Sequence, residues 1–409
     1  MSLTLAKAAS WVTPKRLRAH GLILALCLWS AYFWNMATPG LLDRAGNLKG
    51  TDFVHFYILG SLAATRDGID LYNMDAQSQL TAQRIPSAAG IRYLPLYPPQ
   101  VSIFFAPFSR VSYPCALILW LTSSSIIYGL CCHALWRICP NLRNYRLTSL
   151  ILALAFPAFW HLVAWGQTSA LALAFFTLAF FALETQREFL AGLALGCLIF
   201  KPQLGIAAAV IFVATRRWKL IAGAILSASA QLAAAWIYYG PGPLHSWLQA
   251  LLQFPSLFPL LEPRPYQTYS LRTFWTMIVP WPHLALALYL ITTILVLVLS
   301  VRCWHSVLSL RLRYSVVLLA TVLVAPHLTV YDLVILAPVF LLLSDWIIIH
   351  PNDSTTSQLK LLLYLAFVLP LLGPLVRWTH LQLTVPVMLA ILYVVSKQGE
   401  SSASNAETI

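Results

Sequence analysis

Long uninterrupted apolar runs constrain this chain more than any other feature, and Leu284–Leu299 is a clear example. With 59% hydrophobic and 10% charged residues, its apolar surface exceeds what a water-soluble domain can bury. An outer-membrane barrel would instead show segments of about ten residues in which apolar and polar side chains alternate. The runs therefore predict an all-α integral membrane protein.

Twelve such runs, bounded by charges, Pro or Gly, predict a bundle of about 11–12 transmembrane helices. The runs 189–200 and 202–215 are each too short to cross alone, because a span needs about 20 residues. They form either one span kinked at Lys201-Pro202 or a hairpin that turns there. The basic cluster at Arg216, Arg217 and Lys219 favours the hairpin, which returns it to the cytoplasmic side. The other runs cover residues 20–38, 112–136, 147–164, 167–183, 219–239, 283–301, 314–326, 329–349, 359–376 and 378–396.

The net charge of +13 is scattered in short clusters between the runs, which favours the positive-inside pattern and contact with membrane lipids over nucleic-acid binding. Most of these clusters fall on one side if the N-terminus is cytoplasmic. We therefore predict a multi-pass protein of the cell membrane, either plasma or inner membrane, with both termini in the cytoplasm. Residues 1–397 form a single membrane domain, and residues 398–409 are expected to be a disordered cytoplasmic tail.

Two long loops, residues 39–111 and 240–282, lie outside in this topology. Each contains an apolar, aromatic stretch too short to span, Phe53–Thr65 in the first and Ser246–Phe258 in the second. Both stretches are typical of helices that lie along the membrane interface.

Five polar residues share the outer end of the predicted bundle, and Asp332 lies about one turn into the span that follows His327. Ionisable groups in or near a bilayer are costly, so they usually face an interior cavity and act there. We therefore predict that these residues line a functional site. The five are Asp52, Gln167, Lys201, His327 and Arg377.

Each position also has a structural interpretation. Asp52 follows Thr51 and suits the first turn of a helix, where an acid interacts well with the helix dipole. Lys201 can extend its amine to the interface, and Arg377 can contact lipid headgroups. His327 also suits a hydrated position at a span end, while Asp332 can pair with a base or orient His327.

Two aromatic-loop residues complete the set of candidate substrate contacts. His55 lies three residues after Asp52 and therefore near it on a helix, although an interfacial role suits it as well. Tyr97 precedes Pro98-Pro99, a pattern that also marks the start of a helix.

An acid with cations at the bilayer surface suits transfer from a lipid phosphate. The acid removes a proton from an acceptor hydroxyl, while cations stabilise the departing phosphate. Nucleotide-binding and metalloprotease motifs are absent from the sequence. No ligand cluster demands a metal, which leaves metal dependence open, and no cofactor is expected beyond the lipid-linked donor substrate.

An ordered series of short motifs resembles glycosyltransferase family 87 over roughly residues 20–345. The series is Thr51-Asp52-Phe53 with Tyr57, Gly68-Ile69-Asp70-Leu71-Tyr72, Tyr97-Pro98-Pro99, Gly166-Gln167, Lys201-Pro202 and Pro326-His327. The resemblance implies a GT-C fold, a polyprenyl-phosphate-sugar donor, an extracytoplasmic site and inversion at the sugar carbon. It also implies that Asp52 is the general base and that His327, with Lys201 alongside, assists at the donor phosphate.

The chain departs from the family pattern at two places. Thr168-Ser169 stands where members often carry Asn, and Pro326-His327 replaces a Ser-Trp with paired histidines. We predict an inverting hexosyltransferase, with mannose as the expected sugar and a lipid or glycan as acceptor. A flippase or transporter of lipid-linked sugars is the alternative, but transporters usually show internal repeats and midplane polar sites.

Overall fold

The computed structural model describes residues 9–66, 68–253, 256, 262, 264–351 and 354–406. These residues are almost entirely helical, and they contain no strand beyond the isolated bridges Leu42–Leu48 and Thr268–Thr329. Six helices are long and apolar enough to cross a membrane. The predicted class of all-α integral membrane protein is confirmed.

The chain folds into α-helices joined by tight turns and short 3-10 segments. The 3-10 segments are Ile69–Tyr72, Pro86–Ala88, Phe108–Arg110, Pro140–Tyr145, Cys197–Phe200, Pro202–Leu204, Pro265–Gln267, Val330–Leu336 and Leu369–Leu372. The α-helices are α1 (Pro14–Met36), α2 (Phe53–Thr65), α3 (Met74–Arg84), α4 (Gln100–Phe105), α5 (Tyr113–Arg137), α6 (Arg146–Ala155), α7 (Pro157–Trp165), α8 (Ser169–Glu184), α9 (Glu188–Gly196), α10 (Ile206–Ala214), α11 (Trp218–Tyr239), α12 (Gly242–Leu252), α13 (Leu271–Ile278), α14 (Pro282–His305), α15 (Leu310–Val324), α16 (Ala337–Ile349), α17 (Ser354–Val368), α18 (Gly373–Thr379) and α19 (Thr384–Ala406).

The predicted 11–12 spans correspond to helices of two kinds. Among the described residues, six are long and apolar enough to cross a membrane, and the bent pair formed by Pro140–Ala155 and α7, at 43°, adds a seventh if it is one span. The remaining predicted spans form shorter helices, among them α8, α9, α10 and α15. Pro157 and the Lys201-Pro202 turn interrupt the longer apolar runs, because proline cannot continue the helical hydrogen-bond ladder.

The most enclosed part of the bundle is α15 with the segment that follows it. Its side chains are buried from Tyr314 through Val324, and Val330–Leu336 is buried throughout. Because these residues are apolar around the whole helix, they suit a position surrounded by other helices rather than an amphipathic surface. They support the two turns that carry His327 and Asp332.

Helices α9 and α10 form the predicted hairpin. Arg217, just after α10, donates to Glu188 at the start of α9 at 2.6 Å, so the chain returns to the side from which it entered. A single kinked span would separate those residues by the thickness of the membrane. Helix α11 then packs alongside α9, where a Cβ on Gly192 would lie 1.9 Å from the Leu220 carbonyl oxygen. Such small residues allow close helix packing within membranes.

The bundle has two chemically different ends. The end that carries Asp52, Gln167, Lys201, His327 and Asp332 is called the Asp52 end. The opposite end, called the basic end, carries the Arg217–Glu188 pair and the Arg311–Asp345 pair at 3.3 Å. Phe212 at the end of α10 packs on Trp304 at 4.9 Å, and Arg313 covers the same ring, which brings the two pairs to one end.

The structure differs from expectation at α2. The helix occurs at the predicted residues, Phe53–Thr65, but its side chains are buried from Phe53 through Ala63. It therefore packs within the protein, whereas an interfacial helix presents one face to lipid. Neighbouring aromatic residues cover it, including Phe105, 4.9 Å from the Phe56 ring. The second predicted interfacial stretch, Ser246–Phe258, is described only as far as Gln253 and at Ser256, and α12 forms its first part.

The C-terminal helix also continues beyond its expected end. Helix α19 runs to Ala406, so the tail predicted to be disordered, 398–409, is helical as far as it is described. The Gln398 side chain donates to the Thr355 hydroxyl at 2.6 Å and so extends the packing of α19 against α17. Residues 407–409 lie outside the described residues.

Candidate active site

Asp52 lies directly before α2, where the segment that follows α1 meets the bundle. Its backbone N–H donates to the Trp165 carbonyl at 3.0 Å, and the Tyr93 hydroxyl donates to the neighbouring Thr51 carbonyl. Asp52 itself is half-buried, whereas the helix that follows is buried. The carboxylate is thus held by backbone contacts on both sides but stays partly accessible.

Gly166 explains why the chain approaches Asp52 so closely from α7. It ends α7 with φ +71°, a left-handed conformation that favours glycine, and a Cβ there would lie 2.8 Å from the Phe53 Cβ. The Trp120 indole donates to the Gly166 carbonyl at 3.0 Å and holds the turn in place. The Thr-Asp and Gly-Gln motifs therefore form one packed unit.

Gln167 and Lys201 connect Asp52 to Asp332. The Gln167 amide donates to the Asp52 carboxylate at 2.6 Å, and its oxygen accepts from the Lys201 amine at 3.5 Å. Lys201 in turn donates to Asp332 at 2.9 Å. We call Asp52, Gln167, Lys201 and Asp332 the carboxylate cluster. Its two carboxylates outnumber its one lysine, so it carries a net negative charge when all three are ionised.

Asp332 is the most constrained member of the carboxylate cluster. One oxygen accepts from Lys201 and from the Ser169 hydroxyl at 2.5 Å, and the other accepts from the Thr329 N–H and hydroxyl, each at 3.2 Å. The bond from the Thr329 N–H is one half of a capping box at the start of Val330–Leu336, and in the other half the Thr329 side chain accepts from the Asp332 N–H. Asp332 and Lys201 are 2% and 3% exposed, so each needs the other as a partner in the interior.

The environment of Asp52 is suited to proton transfer. Burial raises the pKa of this carboxyl to about 6, although the Gln167 hydrogen bond and then the Lys201 charge lower it, while the Asp332 charge raises it again. A carboxyl that titrates near neutral pH is ionised at pH 7 and still accepts a proton readily. Asp52 therefore has the protonation state and the accessibility that a general base needs.

A second group of charges surrounds His327. Its Nδ1 lies 2.8 Å from Glu262, and Arg272 forms an ion pair with the same carboxylate. Arg272 also donates to the Pro326 carbonyl at 2.6 Å. We call His327, Glu262 and Arg272 the histidine cluster. Burial alone would raise the pKa of Glu262, but the His327 hydrogen bond and the Arg272 charge lower it.

A short backbone segment joins the two clusters. The Tyr269 N–H donates to the Leu328 carbonyl at 2.9 Å, and Thr268 forms a bridge with Thr329. The Thr329 hydroxyl in turn donates to the Asp332 carboxylate. Only one residue separates His327 from Thr329, so the clusters are neighbours at the Asp52 end.

The comparisons with known proteins identify the family of the chain. The model of glycosyltransferase family 87 matches residues 96–326, more than half of the 409 residues. The chain belongs to glycosyltransferase family 87. It is therefore a glycosyltransferase, and the expected family is confirmed. Neither a curated protein nor a solved structure gives a significant match. The matched range contains Gln167 and Lys201 and ends at Pro326, directly before His327.

The other predicted site residues of this family 87 glycosyltransferase are spread more widely. The Tyr97 ring lies 5.7 Å from His55, and burial raises the pKa of Tyr97, as do the carboxylates of Asp332 and Asp52, although Lys201 lowers it. The buried His55 ring also packs 4.9 Å from Tyr93. Both residues thus line the wall behind Asp52. Arg377 is exposed on α18, and the structure gives it no contact with either cluster.

Four residues of the candidate site were not among the predicted ones. The Ser169 hydroxyl accepts from the Lys201 amine at 3.1 Å, and the Tyr331 ring lies 5.0 Å from the same amine. Glu262 and Arg272 complete the histidine cluster. Ser169 and Tyr331 each stand two residues or fewer from a predicted residue, which is a usable signal. Glu262 and Arg272 are ordinary loop charges in the sequence, and only the fold brings them to His327.

Among the described residues, no group of three or more His, Cys, Asp or Glu side chains is placed to hold a metal ion.

Proposed function

We propose that this glycosyltransferase moves a hexose, with mannose as the expected sugar, from a polyprenyl-phosphate carrier to a lipid or glycan hydroxyl on the extracytoplasmic face. One observation carries the proposal. A partly accessible carboxylate, Asp52, whose pKa is raised by burial to about 6, stands beside a second cluster that holds two basic side chains. This arrangement suits a base next to an anionic leaving group.

The proposed reaction is a single displacement. Asp52 accepts the proton of the acceptor hydroxyl, and the acceptor oxygen forms a bond to the anomeric carbon. The bond from that carbon to the phosphate oxygen breaks, and the phosphate leaves with the electron pair. Because attack and departure occur on opposite faces of the sugar, the configuration inverts. The raised pKa of Asp52 supports its role as the base.

The leaving phosphate is assigned to the histidine cluster. Arg272 offers a planar guanidinium, which suits bidentate contact with a phosphate, and His327 offers a second donor. Glu262 holds both side chains in the absence of substrate. Lys201 is already paired with Asp332, so we assign it to positioning Gln167 and Asp332 rather than to direct contact with phosphate.

The remaining parts of the proposal rest on the sequence. The sugar and the polyprenyl donor follow from the resemblance to mannosyltransferases of this family, and the extracytoplasmic side follows from the basic loops. The aromatic wall at Tyr93, Tyr97 and Trp165 supports a sugar substrate, since such rings stack on apolar sugar faces.

The test is an assay of membranes that contain either the wild-type protein or Asp52→Asn, with polyprenyl-phosphate mannose as donor. Loss of a general base should reduce the rate about 10²–10⁴-fold. Asp75→Asn is the matched control, because Asp75 lies in the same loop and forms an exposed ion pair with Arg92. An effect of twofold or less for Asp52→Asn would show that the base assignment is wrong.

A further inference from the structure

A large cavity lies away from the candidate active site. Its volume is about 900 Å³, and it lies among α1, α5, α6, α16 and α17. Most of its wall is apolar, with Leu24, Tyr128, Gly129, Phe340 and Phe367 as examples. This volume falls within the range of ligand-binding pockets, about 300–1,000 Å³.

The cavity extends to the basic end. Arg146 at the start of α6 lines it, and the neighbouring Asn141 N–H donates to Asp345 at 2.9 Å at that end of the bundle. Helices α6 and α7 separate Arg146 from Trp165, next to Asp52, by 19 residues or about 28 Å of helix. The lining includes no residue of the carboxylate or histidine cluster. The cavity is therefore a different site from the one that binds the donor phosphate.

The lining has basic side chains as well as uncharged polar ones. It carries Arg146, Lys360, His20 and His133 and, among the described residues, no carboxylate. Neither Arg146 nor Lys360 forms an ion pair within the part of the chain that the structure describes. By contrast, other bases at this end, such as Arg217 and Arg311, have carboxylate partners. The cavity thus combines an apolar body with cations that have no carboxylate partner among the described residues.

We propose that this cavity binds an anionic phospholipid. The headgroup phosphate contacts Arg146 and Lys360, and an acyl chain occupies the apolar space against Gly129 and Phe340. Basic pockets between transmembrane helices are known sites for anionic lipid headgroups, and each basic side chain near an anionic membrane contributes about a fivefold gain in affinity. The hydrogen bond between His20 and Tyr364, at 3.0 Å, connects α1 to α17 beside this site.

The features of the cavity favour this occupant over two others. A free phosphate would use the cations but leave the apolar space unfilled. The polyprenyl donor has its phosphate at the Asp52 end in the proposed function, about the length of a span away. A bound anionic lipid uses both the charge and the apolar volume, and it would pack α1 more firmly on the bundle.

The experiment uses the full-length protein purified in detergent. Native mass spectrometry measures the retention of dioleoyl-phosphatidylglycerol, the zwitterionic dioleoyl-phosphatidylcholine and glycerol phosphate. We expect the wild-type protein to retain phosphatidylglycerol selectively and to retain no glycerol phosphate. Equal retention of the two lipids, or retention of glycerol phosphate, would overturn the proposal.

Two variants test the headgroup and the chain separately. The double variant Arg146→Gln/Lys360→Gln should lose the preference for phosphatidylglycerol about thirtyfold. Gly129→Phe should reduce retention of the lipid by filling the apolar space, since nothing lies within 4 Å of a Cβ at Gly129.

The matched control is Arg302→Gln/Lys219→Gln, which removes the same charges from exposed positions outside the cavity lining. A loss of preference in the control as large as in the test variant would show general surface attraction instead of a site. Transfer activity of each variant is measured in parallel, so that failure of this proposal is distinguished from failure of the proposed function.

Discussion

The carboxylate cluster and the histidine cluster are neighbours, but they balance charge in opposite ways. The first holds two carboxylates and one lysine, and the second holds one carboxylate, one arginine and one histidine. The first therefore has an excess of negative charge, and the second becomes positive when His327 is protonated. This difference separates the proposed roles, with a proton acceptor on one side and a phosphate site on the other.

The largest expected effect is that of removing the lysine from the carboxylate cluster. Lys201→Met leaves the buried Asp332 carboxylate without its ion-pair partner, which should cost about 3–5 kcal/mol of unfolding free energy. Denaturant titration in detergent micelles measures this loss. The double variant Lys201→Met/Asp332→Asn should recover most of the stability, because the buried charge is then absent. Equal stability of the single and double variants would contradict the account.

The next largest effect tests the assignment of the leaving phosphate to the histidine cluster. Arg272→Gln should lower kcat/KM for the lipid-phosphate donor about 10- to 150-fold, since a hydrogen bond to a charged group is worth about 1.5–3 kcal/mol. Steady-state transfer kinetics provide the measurement. Arg264→Gln, an exposed change in the same loop, serves as control and should leave the kinetics unchanged. Equal losses in the two variants would remove the specific role of Arg272.

A smaller effect tests the turn that positions the carboxylate cluster. Gly166→Ala places a Cβ 2.8 Å from the Phe53 Cβ. The left-handed backbone at this position alone should lower the unfolding free energy of the alanine variant by about 1–2 kcal/mol, and the close contact adds to that loss. Thermal unfolding should therefore occur at a lower temperature, with reduced transfer. The control is Gly129→Ala. Gly129 lies in a helix with open space around its Cβ position, so this change should leave the unfolding free energy unchanged or increase it.

The smallest effect concerns pH. Asp52 acts as a base only when ionised, so the transfer rate should fall as the pH decreases through about 6 and level off above it. The Gln167 hydrogen bond favours the ionised form of Asp52. Gln167→Leu should therefore raise the midpoint of this pH-dependent decrease in rate by about half to one pH unit. A pH–rate profile measures the midpoint. A downward movement would contradict the assigned contact.

The sequence predicted the membrane class, the hairpin and the convergence of Asp52, Gln167, Lys201 and Asp332. The convergence was predictable because ionisable residues within apolar runs are costly in a bilayer and usually face the interior of the bundle. It did not predict that α2 is buried, since an apolar aromatic helix has the same composition whether lipid or protein covers it.

Glu262 and Arg272 also escaped prediction, for a different reason. In the sequence each is an ordinary charge of the predicted loop 240–282, and its position beside His327 depends on the pairing of Thr268 with Thr329, which no local pattern encodes. Arg377, in contrast, was expected in the cluster on loop position alone, and it lies exposed on α18.

The hairpin has a consequence for how the protein is made. Lys201 lies at its tip, and the carboxylate that neutralises it, Asp332, follows 131 residues later in the chain. A lysine cannot rest unpaired in hydrocarbon without a large cost. We therefore expect the hairpin to enter its final position only after the ribosome has produced the segment that carries Asp332, so that active-site assembly is among the last steps of biogenesis.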